Sequence, residues 1–281
     1  MSSAGVRVDS LRCRFGSKLA LSIDKLSLKG GVTAVLGPNG AGKSTLLRVV
    51  ATVSASGGGL RIDGATVDAG GASLSAVRCR LGYGPQTEGL PPRMRVHDYL
   101  DYVASLKEIG PARLRRRWIS YVLSLVELSH SQSHRISTLS GGEQRRLVIS
   151  QALLGDPKLL VLDEPLTALD AEQRSRMVTL IAERGADATV VVATHHGDEL
   201  AAVCGRVLVL NEGQLVFDGT PERLAGVAAG RTWESSVKPA GAHARAVGPG
   251  RYRCVGDAVP DGGEAVEPSV ADGYVALIRG R

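Results

Sequence analysis

The chain has 281 residues, of which 43% are hydrophobic and only 4% aromatic, and its formal net charge is +6. This length allows one large domain with an appendage. Because aromatic residues are scarce, a sequence-reading nucleic-acid module and a nucleic-acid partner are not expected. No stretch reaches the roughly 18 to 20 continuous apolar residues of a membrane-spanning helix, and the N-terminus lacks the pattern of a secretory signal. We therefore expect a soluble, cytoplasmic protein.

The basic excess is only a weak signal for a nucleic-acid or membrane-surface partner, and the cysteines point to no special chemistry. The run of arginines from Arg113 to Arg117 is typical of one solvated helix face. The cysteines are scattered without a CxxC pair, which favours small buried side chains over a zinc site or a disulfide framework. They are Cys13, Cys79, Cys204 and Cys254.

The first part of the chain predicts the start of an α/β fold. Apolar residues alternate around Val8 and from Leu19 to Leu28, and a buried run follows at Val32–Leu36. A glycine-rich turn then leads to helical periodicity from Ser44 to Val53. Strand, loop and helix in this order are typical of an α/β unit. Residues 57–68 return to strands, with Asp-Gly at 63–64 as a hairpin turn.

The middle of the chain changes character and then returns to alternating strands and helices. Helical spacing in Val96–Ile109 and Leu114–Leu128 predicts a helical subdomain over residues 87–138. The alternation resumes with a helix to Leu154, strands at Leu159–Leu162 and Thr189–Ala193, and a helix near Ala171–Arg184. We therefore predict an α/β core formed by residues 1–86 and 139–224.

The last part of the chain, residues 225–281, predicts a small α+β appendage. Ala225–Pro249 is rich in Gly, Ala and Pro and is expected to be loosely built. Arg251–Val255 and Val270–Ile278 regain the patterns of a strand and a helix.

A phosphate-binding loop of the form GxxxxGK[ST] lies between the buried strand and the first helix. Its glycines let backbone N–H groups turn around a β-phosphate, and the helix N-terminus adds partial positive charge. The lysine places a point charge on the phosphates, and the first hydroxyl is a Mg²⁺ ligand. The loop comprises Gly37, Pro38, Asn39, Gly40, Ala41, Gly42, Lys43, Ser44 and Thr45.

A second motif carries two adjacent carboxylates at the end of the apolar strand Leu159–Leu162. The carboxyl end of a strand is the usual ligand position in an open parallel sheet. Asp163 is predicted to support Mg²⁺, and Glu164 to polarise the attacking water as general base. In isolation such a pair is as typical of a turn or helix cap, but together with the phosphate loop it indicates nucleotide hydrolysis.

A third motif opens the helix after residue 139 with the sequence LSGGEQ. Ser140 and Glu143 have the spacing of a capping box, which is a structural explanation in itself. Gly141 and Gly142 leave bare N–H groups at the helix mouth, where a phosphate can approach closely.

The sequence LSGGEQRR resembles the signature motif of ABC ATPases, and the resemblance extends from about Val8 to Leu224. It implies a P-loop NTPase fold of the ABC type and an ATP-hydrolysing enzyme that uses Mg²⁺. It also implies that two subunits, most simply a homodimer, face head to tail. Each ATP would then lie between the phosphate loop of one subunit and Ser140, Gly141 and Gly142 of the other.

The same resemblance implies further site residues. Gln86 in GYGPQ matches the loop glutamine that senses Mg²⁺ and the attacking water. His195 matches the switch histidine on the γ-phosphate, because it follows Thr194 directly, although the neighbouring His196 leaves an alternative.

Two more residues match the family pattern near the nucleotide and the subunit interface. Asp170 in LTALD matches the loop that crosses the dimer interface, although Ala168 stands where the family usually has glycine. Phe15 fits the aromatic residue that stacks on adenine, with a plain strand-edge aromatic as the alternative.

The absence of a membrane span favours a transporter motor, peripheral on the inner membrane face, that drives a separate permease. The segment beginning at Gly82, and the sequences GRTWE from Gly230 and AVEPSVADGYVALI from Ala265, resemble ATPases that serve ABC-2-type permeases, mostly exporters. One alternative is a cytosolic ABC ATPase acting on ribosomes or DNA. Another is an inactive ATP-binding module, against which the complete motif set argues.

Overall fold

The computed structural model describes residues 5–54, 58–67, 72–86, 89–195, 197–260 and 263–280. Within these ranges the side chains of Phe15, Lys18, Ala72 and Ser73 are not described. No helix in the described part of the chain is both long and apolar enough to cross a membrane.

A ten-stranded mixed sheet forms the centre of the molecule, in the order β5-β4-β1-β2-β10-β9-β3-β8-β7-β6. Strands β9, β3, β8, β7 and β6 run parallel, so their carboxyl ends meet at one edge of the sheet. The ten strands are β1 (Val6–Phe15), β2 (Lys18–Leu28), β3 (Gly31–Leu36), β4 (Gly59–Ile62), β5 (Ala65–Thr66), β6 (Leu81–Gly84), β7 (Leu159–Asp163), β8 (Thr189–Ala193), β9 (Arg206–Asn211) and β10 (Gln214–Gly219).

Helices connect the strands, and two of them, α3 and α4, fill the region predicted to be helical. The helix predicted from residue 96 ends at Leu106, three residues early, because Gly110 and Pro111 follow closely and disfavour helix. The helices are α1 (Lys43–Val50), α2 (Ala72–Cys79), α3 (Val96–Leu106), α4 (Ala112–Leu125), α5 (Gly141–Leu153), α6 (Ala171–Asp187), α7 (Gly197–Ala201), α8 (Pro221–Gly226) and α9 (Val270–Arg279).

The central strands are buried on both faces, which explains why their sequences are continuous apolar runs. In β8, Val190 and Val192 belong to one hydrophobic cluster, while Val191 and Ala193 belong to another. These two clusters lie on opposite faces of the sheet because successive side chains of a strand point to opposite sides. The predicted α/β fold class is therefore confirmed.

A second, four-stranded antiparallel sheet forms the C-terminal unit together with α9. Its order is β12-β13-β11-β14. The expectation that residues 225–249 are loosely built is wrong, because two of these strands lie there. Strand β12 alternates polar and small residues and is mostly exposed, so its sequence has no apolar pattern typical of a strand. It is stabilised by backbone pairing with β13. The strands are β11 (Thr232–Ser235), β12 (His243–Gly248), β13 (Arg251–Val255) and β14 (Glu264–Ala265).

The cysteines follow the prediction in three positions of four. Cys13, Cys204 and Cys254 are buried, whereas Cys79 is only half-buried because it ends the short helix α2.

Candidate active site

The phosphate loop connects the buried strand β3 to α1 and can adopt its path only with glycine at two positions. A Cβ atom on Gly37 would lie 2.4 Å from the Leu210 carbonyl oxygen, which is backbone and cannot move aside cheaply. Gly42, the N-cap of α1, has a φ of 100°, a conformation that side chains other than hydrogen disfavour. The loop therefore packs closely against the end of β9.

Lys43 folds back over this loop. Its Nζ donates hydrogen bonds to the carbonyl oxygens of Gly37 at 2.7 Å and Pro38 at 3.2 Å, and the residue is buried. Burial lowers the pKa of the Lys43 ammonium group, while the nearby Glu164 and Asp163 carboxylates act in the opposite direction. A cation held on neutral carbonyl groups is well placed to accept an anionic phosphate.

Asp163 ends β7 and is 2% exposed, directly beneath the phosphate loop. The Ser44 hydroxyl donates a hydrogen bond to this carboxylate, and burial nonetheless raises the pKa of Asp163. Its Oδ1 atom is buried and has no hydrogen-bond partner among the described residues. A buried carboxylate oxygen of this kind is costly unless something binds it.

Glu164 follows immediately and meets the histidine predicted as the switch. Its backbone has a φ of 52° and is held there by an N–H···O bond to Ala193 of 2.9 Å. The His195 Nδ1 atom lies 2.8 Å from Glu164 Oε2. These residues meet because β7 and β8 are parallel neighbours that end at the same edge. The alternative, His196, lies outside the described residues.

A cleft of about 800 Å³ joins most of the phosphate loop to two of the predicted catalytic residues. Seven of the nine loop residues line it, from Asn39 to Thr45, together with Gln86 and Glu164. The side chain of Phe15 lies outside the described residues, so its adenine-stacking role stays a prediction.

Sequence reasoning missed four residues of this cleft: Leu19, Ala20, Glu212 and Gly213. They come from the start of β2 and from the turn between β9 and β10, which the pairing of β10 with β2 brings together. A Cβ atom on Gly213 would lie 2.7 Å from the Ala20 carbonyl oxygen, so this contact requires glycine. The Asn-Glu-Gly turn after an apolar strand is the only local signal, and it does not indicate a ligand.

The signature residues lie outside this cleft. Ser140 caps α5, and the capping box with Glu143 is complete, with the Ser140 N–H donating to Glu143 Oε2 at 2.9 Å. Ser140 and Gly141 are exposed, and among the described residues neither they nor Gly142 line the cleft. Within one chain the structure thus separates the signature from the phosphate loop.

The segment predicted to cross a subunit interface lies beside the signature helix. Asp170 caps α6 by accepting a hydrogen bond from the Gln173 N–H at 2.8 Å. Ala168 has a φ of 64°, a left-handed conformation that costs a residue with a Cβ atom about 1 kcal/mol and explains the usual glycine. The Ala168 carbonyl oxygen lies 3.0 Å from where a Cβ atom on Gly142 would be, so the two motifs touch.

Arg145 is a further residue that sequence reasoning missed. Its guanidinium donates to the carbonyl oxygens of Pro85 at 2.6 Å, Gln86 at 3.3 Å and Asp163, and the residue is 3% exposed. It therefore joins the signature helix to the glutamine loop and to the carboxylate strand. An arginine one turn into the predicted helix was the available signal, but its partners lie 18 to 60 residues away.

A phosphate-loop motif, a buried carboxylate pair and a neighbouring histidine at the edge of a parallel sheet are typical of a P-loop nucleotide hydrolase. Residues 23–167 match the family model described as ABC transporter. The chain belongs to the ABC transporter family as an ATP-binding subunit, and it is an ATP hydrolase of that type.

The relatives with assigned roles include both export and import proteins. The chain is 32% identical to the Nod factor export ATP-binding protein I of Paraburkholderia xenovorans, over 80% of this chain and 73% of the relative. It is 30% identical to the daunorubicin resistance ATP-binding protein DrrA3 of Streptomyces coeruleorubidus, over 86% of this chain and 76% of the relative. It is also 33% identical to the phosphonates import ATP-binding protein PhnC 1 of Pseudomonas aeruginosa, over 79% and 86%.

A solved structure supports the fold and the assembly. The dimeric ATP-binding cassette MJ0796, in a post-hydrolysis state bound to ADP and Pi, is 25% identical to the chain with a TM-score of 0.71. The match covers 76% of this chain and 98% of the cassette. The described fold is therefore that of an ABC cassette.

Proposed function

We propose that the chain is the ATP-hydrolysing subunit of an ABC exporter that works as a head-to-tail homodimer on a separate ABC-2-type permease. The observation that carries this proposal is the cleft in which the phosphate loop, Gln86 and Glu164 meet. The buried Glu164 beside His195 adds the groups that hydrolysis needs.

The roles of the residues follow from their positions. The loop N–H groups and Lys43 bind the phosphates of ATP, displacing the contacts of Lys43 to loop carbonyls. Glu164 accepts a proton from the attacking water as the water oxygen bonds to the γ-phosphorus. The bond from that phosphorus to the bridging oxygen breaks, and ADP leaves with the electron pair. Gln86 orients the water, and His195 holds the γ-phosphate.

The residues below the loop fit Mg²⁺. Asp163 Oδ1 is buried without a hydrogen-bond partner among the described residues, and the Ser44 hydroxyl lies beside the same carboxylate. Hard oxygen donors of this type are the ones Mg²⁺ prefers. Ser44 and Asp163, with Gln86 at the rim of the cleft, would hold the ion, which neutralises phosphate charge when bound.

The exposed signature supports the head-to-tail dimer. Ser140 and Gly141 face outward at the N-terminus of α5, where N–H groups and the helix dipole favour an anion. The cleft of the same chain does not include them, so a second subunit must bring its ATP to them. Asp170, whose carboxylate caps the next helix, would then contribute to the interface.

A cleft between α2 and α3 is the proposed docking site for the permease. It measures about 610 Å³ and is lined by apolar stems and few charges. We propose the domain division of residues 1–86 and 139–224 as core, 87–138 as helical subdomain and 225–281 as appendage. In this division the cleft lies between core and helical subdomain. Its lining is Leu74, Ser75, Arg78, Tyr83, Val103, Leu106, Lys107 and Gln151.

Export is favoured by the Nod factor and daunorubicin relatives and by the C-terminal appendage, although an import relative is equally similar. A permease partner would hold the chain at the inner face of the cell membrane. Co-purification from native membranes with a chain bearing several apolar helices is the expected result. Recovery with ribosomes or DNA alone would support the cytosolic alternative.

The site assignment is tested with Glu164→Gln, which keeps the size of the side chain but cannot accept a proton. Steady-state ATP hydrolysis should fall at least about 100-fold, the usual contribution of a general base. Light scattering with ATP and Mg²⁺ should show a trapped dimer. Glu183→Gln, an exposed glutamate on α6, is the matched control and should behave as wild type. Unimpaired hydrolysis by Glu164→Gln would refute the role of Glu164.

A further inference from the structure

The C-terminal unit contacts the short helix that follows the switch histidine. Helix α7 begins two residues after His195. Asp198 in its first turn accepts a hydrogen bond at Oδ1 from the Ala271 N–H at 2.8 Å, and Ser269 Oγ lies 3.5 Å from Oδ2. A side chain of the nucleotide-binding core thus satisfies a free N–H group at the start of α9.

Apolar packing fixes the same junction. A Cβ atom on Gly197 would lie 3.2 Å from a methyl group of Leu36 and 3.7 Å from a methyl group of Val270. Val270 and Leu200 are both buried members of the cluster that fills one face of the central sheet. The start of α7 is therefore enclosed between β3 and α9.

The unit behind this junction is firmly built. Asp272 is 2% exposed and pairs with Arg253 at 2.7 Å, while Arg245 lies 3.6 Å from Asp272 and 3.9 Å from Asp198. A Cβ atom on Gly273 would come within 1.8 Å of a backbone carbonyl oxygen of α8, so the two helices are in close contact. A displacement of α9 would therefore be shared by the whole unit.

Helix α7 depends on such packing for its position. A helix of five residues is too short to be stable by itself. His195 is 58% exposed, and its Nδ1 atom lies 2.8 Å from Glu164 Oε2. A further polar contact of α7 is the ion pair of Arg174 with Glu199 at 3.7 Å, which is partly exposed and therefore weak.

We propose that Asp198 is a positioning residue through which the C-terminal unit holds α7, and with it His195, in register with Glu164. This inference rests on the proposed role of His195. It assigns the appendage a function in the hydrolytic step: any contact that shifts α9 changes the rate of hydrolysis without touching the nucleotide.

The test compares Asp198→Ala with Asp198→Asn, which keeps the oxygen acceptor for the Ala271 N–H. We expect kcat of Asp198→Ala to fall about 10-fold, since small misplacements of reacting groups reduce rates by up to ~10²-fold. The KM for ATP should stay within about two-fold because the phosphate loop is unchanged. Asp198→Asn should recover most of the rate. Asp24→Ala, an exposed ion-pair partner of Arg12, is the control and should leave kcat unchanged.

A double-mutant cycle separates positioning from general destabilisation. In single-turnover hydrolysis, Asp198→Ala should add less than about two-fold to the loss caused by His195→Ala, because both act through one imidazole. Equal losses in both backgrounds, or a full rate for Asp198→Ala despite a lowered Tm, would overturn the inference. A full rate for His195→Ala would instead refute the proposed role of the histidine.

Discussion

Replacing Arg145 by methionine separates the guanidinium contacts from the packing of the side-chain stem. Methionine keeps the apolar volume in the buried helix face but loses the three hydrogen bonds to the carbonyl oxygens of Pro85, Gln86 and Asp163. A hydrogen bond to a charged group contributes about 1.5 to 3 kcal/mol, and contributions from one side chain are not additive. We expect a total loss of about 3 kcal/mol in the free energy of unfolding.

The expected loss corresponds to a fall in Tm of about 6 to 12 °C, at about 2 to 4 °C per kcal/mol for a domain of this size. Calorimetry of the nucleotide-free protein measures it. Because Arg145 joins the backbones of Gln86 and Asp163, kcat should fall about 10- to 100-fold, well beyond any change in KM. Both kinetic constants are measured at 20 °C, below the onset of unfolding.

Arg146→Met is the matched control on the same helix. Its guanidinium donates to the carbonyl oxygens of Val126 at 3.0 Å and Glu127 at 3.2 Å, away from the carboxylates. The control should lower Tm but change kcat by less than about two-fold. If both variants lose stability and rate in parallel, Arg145 contributes to folding alone and the reasoning about the catalytic backbone is wrong.

Two further predictions concern docking and acid stability. Leu106 is 65% exposed on the rim of the proposed docking cleft, and Leu106→Asp should leave Tm unchanged but abolish co-purification of the permease. The control Leu114→Asp, at an exposed side chain outside the cleft, should retain co-purification. Co-purification retained by Leu106→Asp would refute the docking site. Although burial opposes it, hydrogen bonds from Arg253 and the Ser269 N–H hold the pKa of Asp272 below its usual value. The stabilisation is therefore complete above about pH 4, the unfolded value, and is lost as pH falls through the folded pKa. Asp272→Asn should lower Tm at pH 7 but much less at pH 3, and an equal effect at both would show that ionisation is irrelevant.

Contiguous motifs made much of the active site predictable. The phosphate loop and the carboxylate strand each occupy a few consecutive residues. Local glycines and apolar runs are enough to predict the backbone geometry that these motifs need. Their meeting also followed from sequence, since parallel strands end at one edge of a sheet. The roles of these residues stay predictions that the variants above address.

The C-terminal unit shows where local patterns fail. Helix α9 was predicted because it is amphipathic and long, whereas β12 was missed because its side chains carry no apolar alternation. An edge strand of this kind is formed by hydrogen bonds to its neighbour, which no local preference encodes.

The sequence by itself determined the α/β class and the positions of the nucleotide-binding motifs, because each depends on residues adjacent in the chain. Only the tertiary structure decided that Arg145 joins the backbones of Gln86 and Asp163, that the Glu212 turn enters the cleft, and that Asp198 accepts a hydrogen bond from the first turn of α9. Each of these contacts joins residues that are far apart in sequence. Such a contact depends on the packing of the whole sheet and its helices. It cannot be predicted from the hydrophobic periodicity of either segment.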